Sequence, residues 1–486
     1  MTDGEILDGV ITEFVPLTRI PRPSGHEKAV SDYLLNYLRG LGLEAVQDRV
    51  WNIIADFPAS PGLESVPLTI LQSHMDMVCV AAEGKSYDPL TDGISCIIDG
   101  DYMRADGTSL GADDGFGIAE ILFLLKNLKR HGKIRVIFTV DEETGMTGAV
   151  SLEDRWLKEA AYLINCDSED YDILTIGSAG GVDLLFSREL TLTEAGEGNA
   201  FRLEVSGLLG GHSGEEINVG RANAIVILAR TLQAIKEMDN GLKISSISGG
   251  VAKNAIPAAA EAVLVTSLPT EKLRAAVAAC RQQFGQMFAE TDNGLCLTAE
   301  PVAKVPAVFS SADAKAVINL ILSVHSGVYA MSQTVPGMVE TSANLGMVYG
   351  DGGALKVSLY PRSAVAERIL DFCQSAQAVA GMAGFELEQG TISPAWKERL
   401  GPLARNMADI FREQNGRPMK ITSIHAGLEC SWHIQKNPQL DMVSIGVTTH
   451  DIHSPKERVD LRTVAPQVRL IAAVLERICD TEGLKI

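Results

Sequence analysis

The chain has no CxxC pair. Its eight cysteines, Cys79, Cys96, Cys166, Cys280, Cys296, Cys373, Cys430 and Cys479, are scattered, which argues against a zinc ribbon and a disulfide framework. It has no apolar run near the roughly 20 residues that span a bilayer. The N-terminal MTDGEILDGV lacks the basic and apolar stretches of a signal peptide. The expectation is a cytoplasmic protein with reduced thiols. Positive charge is also scarce. Lys and Arg number 42 against 62 Asp and Glu, a net charge of -20. Such a surface repels phosphate, so nucleic acid and anionic membranes are poor partners. What is present is apolar content, 46% of 486 residues. That is enough to bury cores and excludes disorder as the dominant state. Any metal site has to come from His, Asp and Glu.

Apolar spacing predicts helices over residues 6–18 and 26–42, with Gly40 and Gly42 ending the second. Ser24 and Glu27 read as a capping box for it. Strands are expected at 45–50, 51–57, 68–72, 134–140 and 162–165, with a helix over 115–129 between them. Strands alternating with helices imply an α/β domain with a parallel or mixed sheet. Near residue 195 the texture changes. Strands at 201–205, 243–248 and 259–267 and helices at 222–235 and 272–290 form an α+β block. A second block, 314–383, loosely repeats its order. Helices at 396–414 and 466–481 return to the α/β character. The expected organisation is therefore a catalytic domain, 1–190 and 395–486, interrupted by an internally doubled α+β domain, 191–394.

Five separated segments carry metal-type side chains. Ser73-His74-Met75-Asp76 follows an apolar strand, and residues two apart in a strand share a face. A carboxylate beside a ligating His can fix its tautomer. Asp113 and Asp114 follow a glycine-rich turn that opens a helix, where they could equally be caps. Asp141-Glu142-Glu143 closes a strand, and three adjacent carboxylates repel one another without a cation. Asp167 lies just after another strand. His450 and His453 lie near the C-terminus. Most of these positions are strand ends, where α/β folds place their sites. The hard nitrogen and oxygen donors suit two divalent ions, zinc first, with manganese or cobalt also acceptable. A bridging carboxylate and water would supply a hydroxide nucleophile. A spare Glu would be the base.

The segments LQSHMDMV, GTSLGADDG, VDEETGMTGA, INCDSED, GLLGGHSGEEI and IHSPKERV, in this order, resemble the M20 family of metallopeptidases over nearly the whole chain. The resemblance implies a zinc-peptidase-like α/β domain carrying a lid domain. It implies His74, Asp113, Glu143, Asp167 and His453 as metal ligands, with Asp113 bridging and the Asp113–Asp114 peptide cis. Asp76 would orient His74, and Glu142 would be the general base. In the lid, His212 would stabilise the oxyanion, Asn254 would lie near the substrate, and Arg362 would hold its C-terminal carboxylate by bidentate geometry. Gly427, in the segment 425–429, would form a substrate-proximal turn. His450 does not match the motif.

The implied reaction is hydrolysis of dipeptides with a free C-terminal carboxylate, Xaa-His types such as β-alanyl-histidine included. The same core could serve a tripeptide aminopeptidase, a carboxypeptidase or an N-acyl amino-acid deacylase, because fold does not decide substrate. A binding protein without catalysis would lack Glu142. A phosphodiesterase would have no use for His212 and Asn254. A homodimer is compatible with the resemblance, although the long lid suggests that one chain completes its own site. No interface is legible in the sequence.

Overall fold

The segment Leu68–His74 is buried along all seven residues. A strand covered on both faces calls for parallel neighbours with helices over them. It runs parallel to Ile134–Thr139 on one side and Ala160–Asn165 on the other. Asp441–Ser444 follows, parallel to Ala160–Asn165. Ile53–Phe57, antiparallel to Ile134–Thr139, and Glu44–Gln47, antiparallel to it in turn, finish one edge; Ile173–Ser178, antiparallel to Asp441–Ser444, and then Lys420–Ile424 finish the other, giving eight strands. This computed structural model describes residues 1–351, 353–480 and 484. Thr481, the expected end of the last helix, lies outside the described residues.

The chain separates into two compact units, one of 1–178, 396–423 and 428–486, the other of 179–395 and 424–427. The sequence reading put residues 179–190 in the first domain. The strand Leu184–Glu189 instead pairs with Ala354–Ser363 and Glu386–Gln389 in the second unit's sheet. Such non-local pairing is invisible to periodicity. The segment 424–427, which includes Gly427, likewise belongs to the second unit.

In the first unit, helices Asp3–Thr18 and Ala112–Asn127 pack through Phe14 and Phe116, both fully buried, with ring centroids 4.3 Å apart. Each ring contributes roughly 2 kcal/mol by burial. A small antiparallel sheet, Cys96–Asp99, Tyr102–Ala105, Arg458–Asp460 and Thr449–His450, carries the C-terminal motif.

The doubling of the second unit is visible as two βαββαβ halves. In the first half the sheet order is Cys296–Pro301, Asn199–Ser206, Ala260–Thr266, Lys243–Gly249. In the second it is Val339–Asp351, Ala354–Ser363, Leu184–Glu189, Glu386–Gln389. The halves join edge to edge at Gly249 and Val348. Helices Ala224–Met238 and Thr270–Met287 belong to the first half, Ser311–Ser323 and Ala366–Ala383 to the second. The side chains of Asn199–Ser206 alternate exposed and buried, as expected of an antiparallel sheet with one covered face.

One buried cation ties the site-bearing loops of the first unit together. The Arg22 guanidinium donates to the carbonyls of Met75, Asp76 and Gly111 at 2.9, 2.9 and 2.5 Å. A Cβ on Gly111 would sit 2.5 Å from Arg22 Nη2, and Gly111 has φ +69. Glycine is required there on both counts. Removing the guanidinium would strand three acceptors in a dry interior. Arg22→Met is therefore expected to destabilise the protein by roughly 3 kcal/mol or more, read as a lower urea midpoint. An unchanged midpoint would show that these carbonyls find other partners.

Candidate active site

The C-terminal ends of the parallel strands converge on one cluster. His74 closes Leu68–His74, Glu142 and Glu143 follow Ile134–Thr139, and Asp167 follows Ala160–Asn165. Asp113 comes from the turn entering Ala112–Asn127. His453 sits in the turn between Thr449–His450 and Arg458–Asp460. Its φ is +56, and that of Asp141 is +58. Non-glycine residues in this region concentrate at functional turns.

Asp113 lies between the two imidazoles. Its Oδ1 is 3.0 Å from His74 Nε2, and its Oδ2 is 3.2 Å from His453 Nε2. Asp167 Oδ1 approaches His74 Nε2 at 3.5 Å. Glu143 Oε2 approaches His453 Nε2 at 2.9 Å. Thus the five expected ligands form two lobes, His74 with Asp167 and His453 with Glu143, sharing Asp113. The Asp113–Asp114 peptide is cis. Asp114 is also near His74 and Asp167. Its Oδ2, however, accepts from Ser73 Oγ at 2.5 Å and from the His74 N–H at 3.3 Å, which commits it to the scaffold.

Asp76 stands behind His74, its Oδ1 3.4 Å from Nδ1. The same carboxylate accepts from the N–H of Glu142 at 3.0 Å, the N–H of Glu143 at 3.2 Å and Ser24 Oγ at 2.7 Å. It therefore fixes the backbone of the Glu pair. The expected capping box does not form. Ser24 serves Asp76, and Glu27 Oε1 accepts from the N–H groups of Gly25 and Asp141. A capping signature and a loop clamp use the same residue types.

Sequence reasoning missed three further residues. Glu457 accepts from the N–H groups of Leu110 and Gly111 at 2.7 and 3.0 Å, and of Ala112 and Asp113 at 2.7 and 3.4 Å. It holds the turn that presents Asp113. Arg22 braces the same turn from the other side. Glu429, wholly buried, accepts from Gln72 Nε2 at 2.6 Å and Thr139 Oγ1 at 2.7 Å. Gln72 in turn accepts from Asn165 Nδ2 at 2.6 Å, and Asn165 accepts from Ser444 Oγ at 2.5 Å. A polar row thus crosses four strands just before the ligands.

Electrostatics shows what the cluster lacks. Burial, then Asp167 and other neighbouring carboxylates, raises Glu142 well above the usual range. Burial lifts Asp167 to about 6 and Glu429 to about 8. Burial opposes charging of His74, but Asp167, Asp113 and Asp76 outweigh it and its pKa rises. Hydrogen bonds to Asp113 and Glu143 lift His453 to about 11. The cations paired with Asp113, Glu143 and Asp167 are all imidazoles. Two nitrogens and three carboxylates facing one another in this way fit two divalent ions.

The remaining expected site residues lie in the second unit. Gly210 and Gly211, with φ +65 and +126, carry the chain into His212. The His212 N–H donates to Glu216 Oε2 at 2.9 Å. Burial, then Arg362, lowers the pKa of the ring. It rests beside Gly214, where a Cβ would lie 3.0 Å from its Cε1. Asn254 is exposed, and its carbonyl accepts from the Ser213 N–H at 2.8 Å. Arg362 is buried at 8% exposure, stacks on Tyr360 at 4.7 Å and leaves Nε without a partner. Gly427 is exposed. Nearby His425, the first residue of the 425–429 segment expected as a substrate-proximal turn, holds Ser342 Oγ 2.7 Å from its Nε2, and burial with Arg362 pushes its pKa down to about 3. An unprotonated imidazole beside a guanidinium leaves Arg362 as the positive group there.

A two-lobed donor cluster at the tips of a parallel sheet, in one unit of a two-unit chain, defines a class of dinuclear metallohydrolases. Residues 70–477 match Peptidase family M20/M25/M40, and the chain belongs to that family. It is an enzyme, a metal-dependent peptidase. It is 33% identical over 470 residues to the cytosol non-specific dipeptidase of Escherichia coli, covering 96% of each chain. Its structure is similar to that of the aminoacylhistidine dipeptidase of Vibrio alginolyticus, with TM-score 0.89, 33% identity, and 98% and 97% of the two chains covered. The aminopeptidase PepT of Bacillus cereus shares the fold at TM-score 0.56 and 18% identity, over 97% and 98% of the chains.

The pKa shifts set a pH dependence for metal-free protein. Asp167 and Glu429 are raised in the fold, so their protonated forms are favoured there. Their contribution is full below about pH 4 and is lost as pH rises toward 6 and 8. His74 and His453 are also raised, so theirs fades above about 6.5. His425 and His433, both lowered to about 3, oppose these groups up to about pH 6.5 and are level above it. EDTA-stripped protein is therefore expected to lose thermal stability from about pH 6.5 to about pH 8. Added zinc should raise Tm more at the upper end. A flat stripped profile, with zinc giving equal gains throughout, would contradict the assignment of these groups.

Proposed function

We propose that the enzyme is a two-metal dipeptidase acting in the cytosol on dipeptides with a free C-terminal carboxylate, Xaa-His substrates included. The observation that carries the reading is Asp113, whose two oxygens face the two imidazoles at 3.0 and 3.2 Å. The dipeptidases of E. coli and V. alginolyticus, similar over nearly their whole lengths, support the substrate class.

His74, Asp167 and the shared Asp113 would hold one divalent ion, and His453, Glu143 and Asp113 the other, zinc being the first choice for this donor set. When bound, the pair polarises a peptide carbonyl and acidifies water.

Glu142 is the general base. It takes a proton from the attacking water and gives it to the leaving amine. Bound cations would offset the neighbouring carboxylates that raise its pKa, leaving it charged to accept the proton and able to return it. Asp76 fixes the orientation of His74 and the position of Glu142 through its main-chain N–H. His212 donates to the developing oxyanion, and Asn254 and the Gly427 turn contact the substrate backbone. Arg362 takes the substrate's carboxylate. Its buried, unpartnered Nε marks a guanidinium with capacity left for an anion.

Glu142→Gln is expected to keep its metal and lose roughly 10²–10⁴-fold in kcat. Near-normal turnover in that variant would remove Glu142 from the role. Substrate class is tested with metal-restored enzyme on carnosine, Leu-His, Gly-Leu, Leu-Gly-Gly and an N-acetyl amino acid. The expected result is cleavage of the dipeptides alone. Cleavage of the tripeptide or the acetylated compound instead would make this a tripeptide aminopeptidase or a deacylase.

A further inference from the structure

We infer that the second unit carries a binding site for a free apolar α-amino acid, separate from the residues assigned above to substrate. A cavity of about 400 Å³ opens between the start of helix Ala224–Met238 and the segment 326–328. That is within the range of small-molecule sites. Two arginines, Arg221 and Arg230, line it, and among the described residues no Asp or Glu does. Arg221 is already paired with Glu216, so Arg230 is the cation left to favour an anion, in a chain of net charge -20.

Three of the lining residues keep unused hydrogen-bonding capacity. Asn344 is buried at 1% exposure. Its Nδ2 donates to the carbonyls of Lys253 and Ala255 at 2.9 and 2.8 Å. Those two bonds fix the amide's orientation, so Oδ1 is left as an acceptor with no partner. Ser326 Oγ already accepts from Asn223 Nδ2 and the Leu345 N–H, which leaves its own proton to donate. Arg221 Nε is buried and unpartnered. Arg230 is exposed at the rim and has no ion-pair partner among the described residues. These donors and this acceptor match a carboxylate and an ammonium on the same small molecule. Ile217, Ile256, Phe288 and Val328 supply an apolar wall for its side chain.

Occupancy would be felt at His212. Arg221 donates to the Gly210 carbonyl at 2.5 Å and pairs with Glu216 at 2.7 Å. Glu216 accepts the His212 N–H. A ligand drawing on Arg221 therefore loads the loop that presents this histidine. The kinetic consequence rests on the proposed dipeptidase reading, whereas binding itself does not. A ligand of this class is chemically a product of peptide hydrolysis, so the device would report product level.

The test is calorimetry on the metal-loaded full chain with L-leucine, 4-methylpentanoate and 3-methylbutylamine as probes, alongside inhibition kinetics with a dipeptide. The expected result is leucine binding that exceeds both truncated probes. Arg230→Glu should weaken it at least about tenfold, as expected for loss of a charge-assisted bond, and Val226→Trp, at a half-buried position lining the cavity, should block it. Both variants should keep the wild-type melting temperature and uninhibited turnover, and leucine should lower kcat in wild type only. No leucine binding to the wild type, or binding that both variants retain with purely competitive inhibition, would overturn the site. Binding that leaves kcat unchanged would overturn the coupling to His212. If no dipeptide is cleaved at all, the functional reading fails and the calorimetry still decides the cavity.

Discussion

Mutual repulsion among carboxylates is the constraint around which this protein is built. Asp76, Asp113, Glu142, Glu143 and Asp167 crowd the C-terminal ends of the sheet's parallel strands, and among the described residues the groups that answer them directly are two imidazoles, the Ser24 hydroxyl and main-chain N–H bonds. Burial raises Glu142 and Asp167, so without cations these two carboxyls would favour their protonated forms. Two divalent ions held by these groups would offset the repulsion and would supply the acidified water that the proposed reaction needs. Stability and chemistry thus meet in the same handful of charges.

The scaffold around the cluster works by fixing backbone. Arg22 and Glu457 grip the turn at 110–113 from opposite sides, one through a carbonyl and the other through four N–H groups. Asp76 grips the strand end at 142–143. Below them the row from Glu429 through Gln72 and Asn165 to Ser444 locks the four parallel strands in register. Each gripping residue is buried, so its bonds are not exchanged with water and the ligand positions vary little.

Much of the site was legible because it lies at strand ends. His74, Glu142, Glu143 and Asp167 each follow an apolar run that reads as a buried strand, and residue type did the rest. What failed was whatever depends on distant pairing. Glu457 reads as one more charge in SPKERVD, yet its partners are about 345 positions away. Arg22 looks like a surface residue between two prolines, and Ser24 with Glu27 mimics a capping box. The strand 184–189 was placed in the wrong unit because its partners begin at 354 and 386. The doubled order of the second unit was readable, since helix and strand periods are local. Its joining at Gly249 and Val348 was not.

The most direct measurement is titration of EDTA-stripped protein with zinc, counting ions bound per chain for wild type and Asp113→Asn. If Asp113 is shared by two lobes, wild type binds two ions and the variant loses high affinity for both. A single ion in wild type, or two ions bound undiminished by Asp113→Asn, would contradict the two-lobed centre.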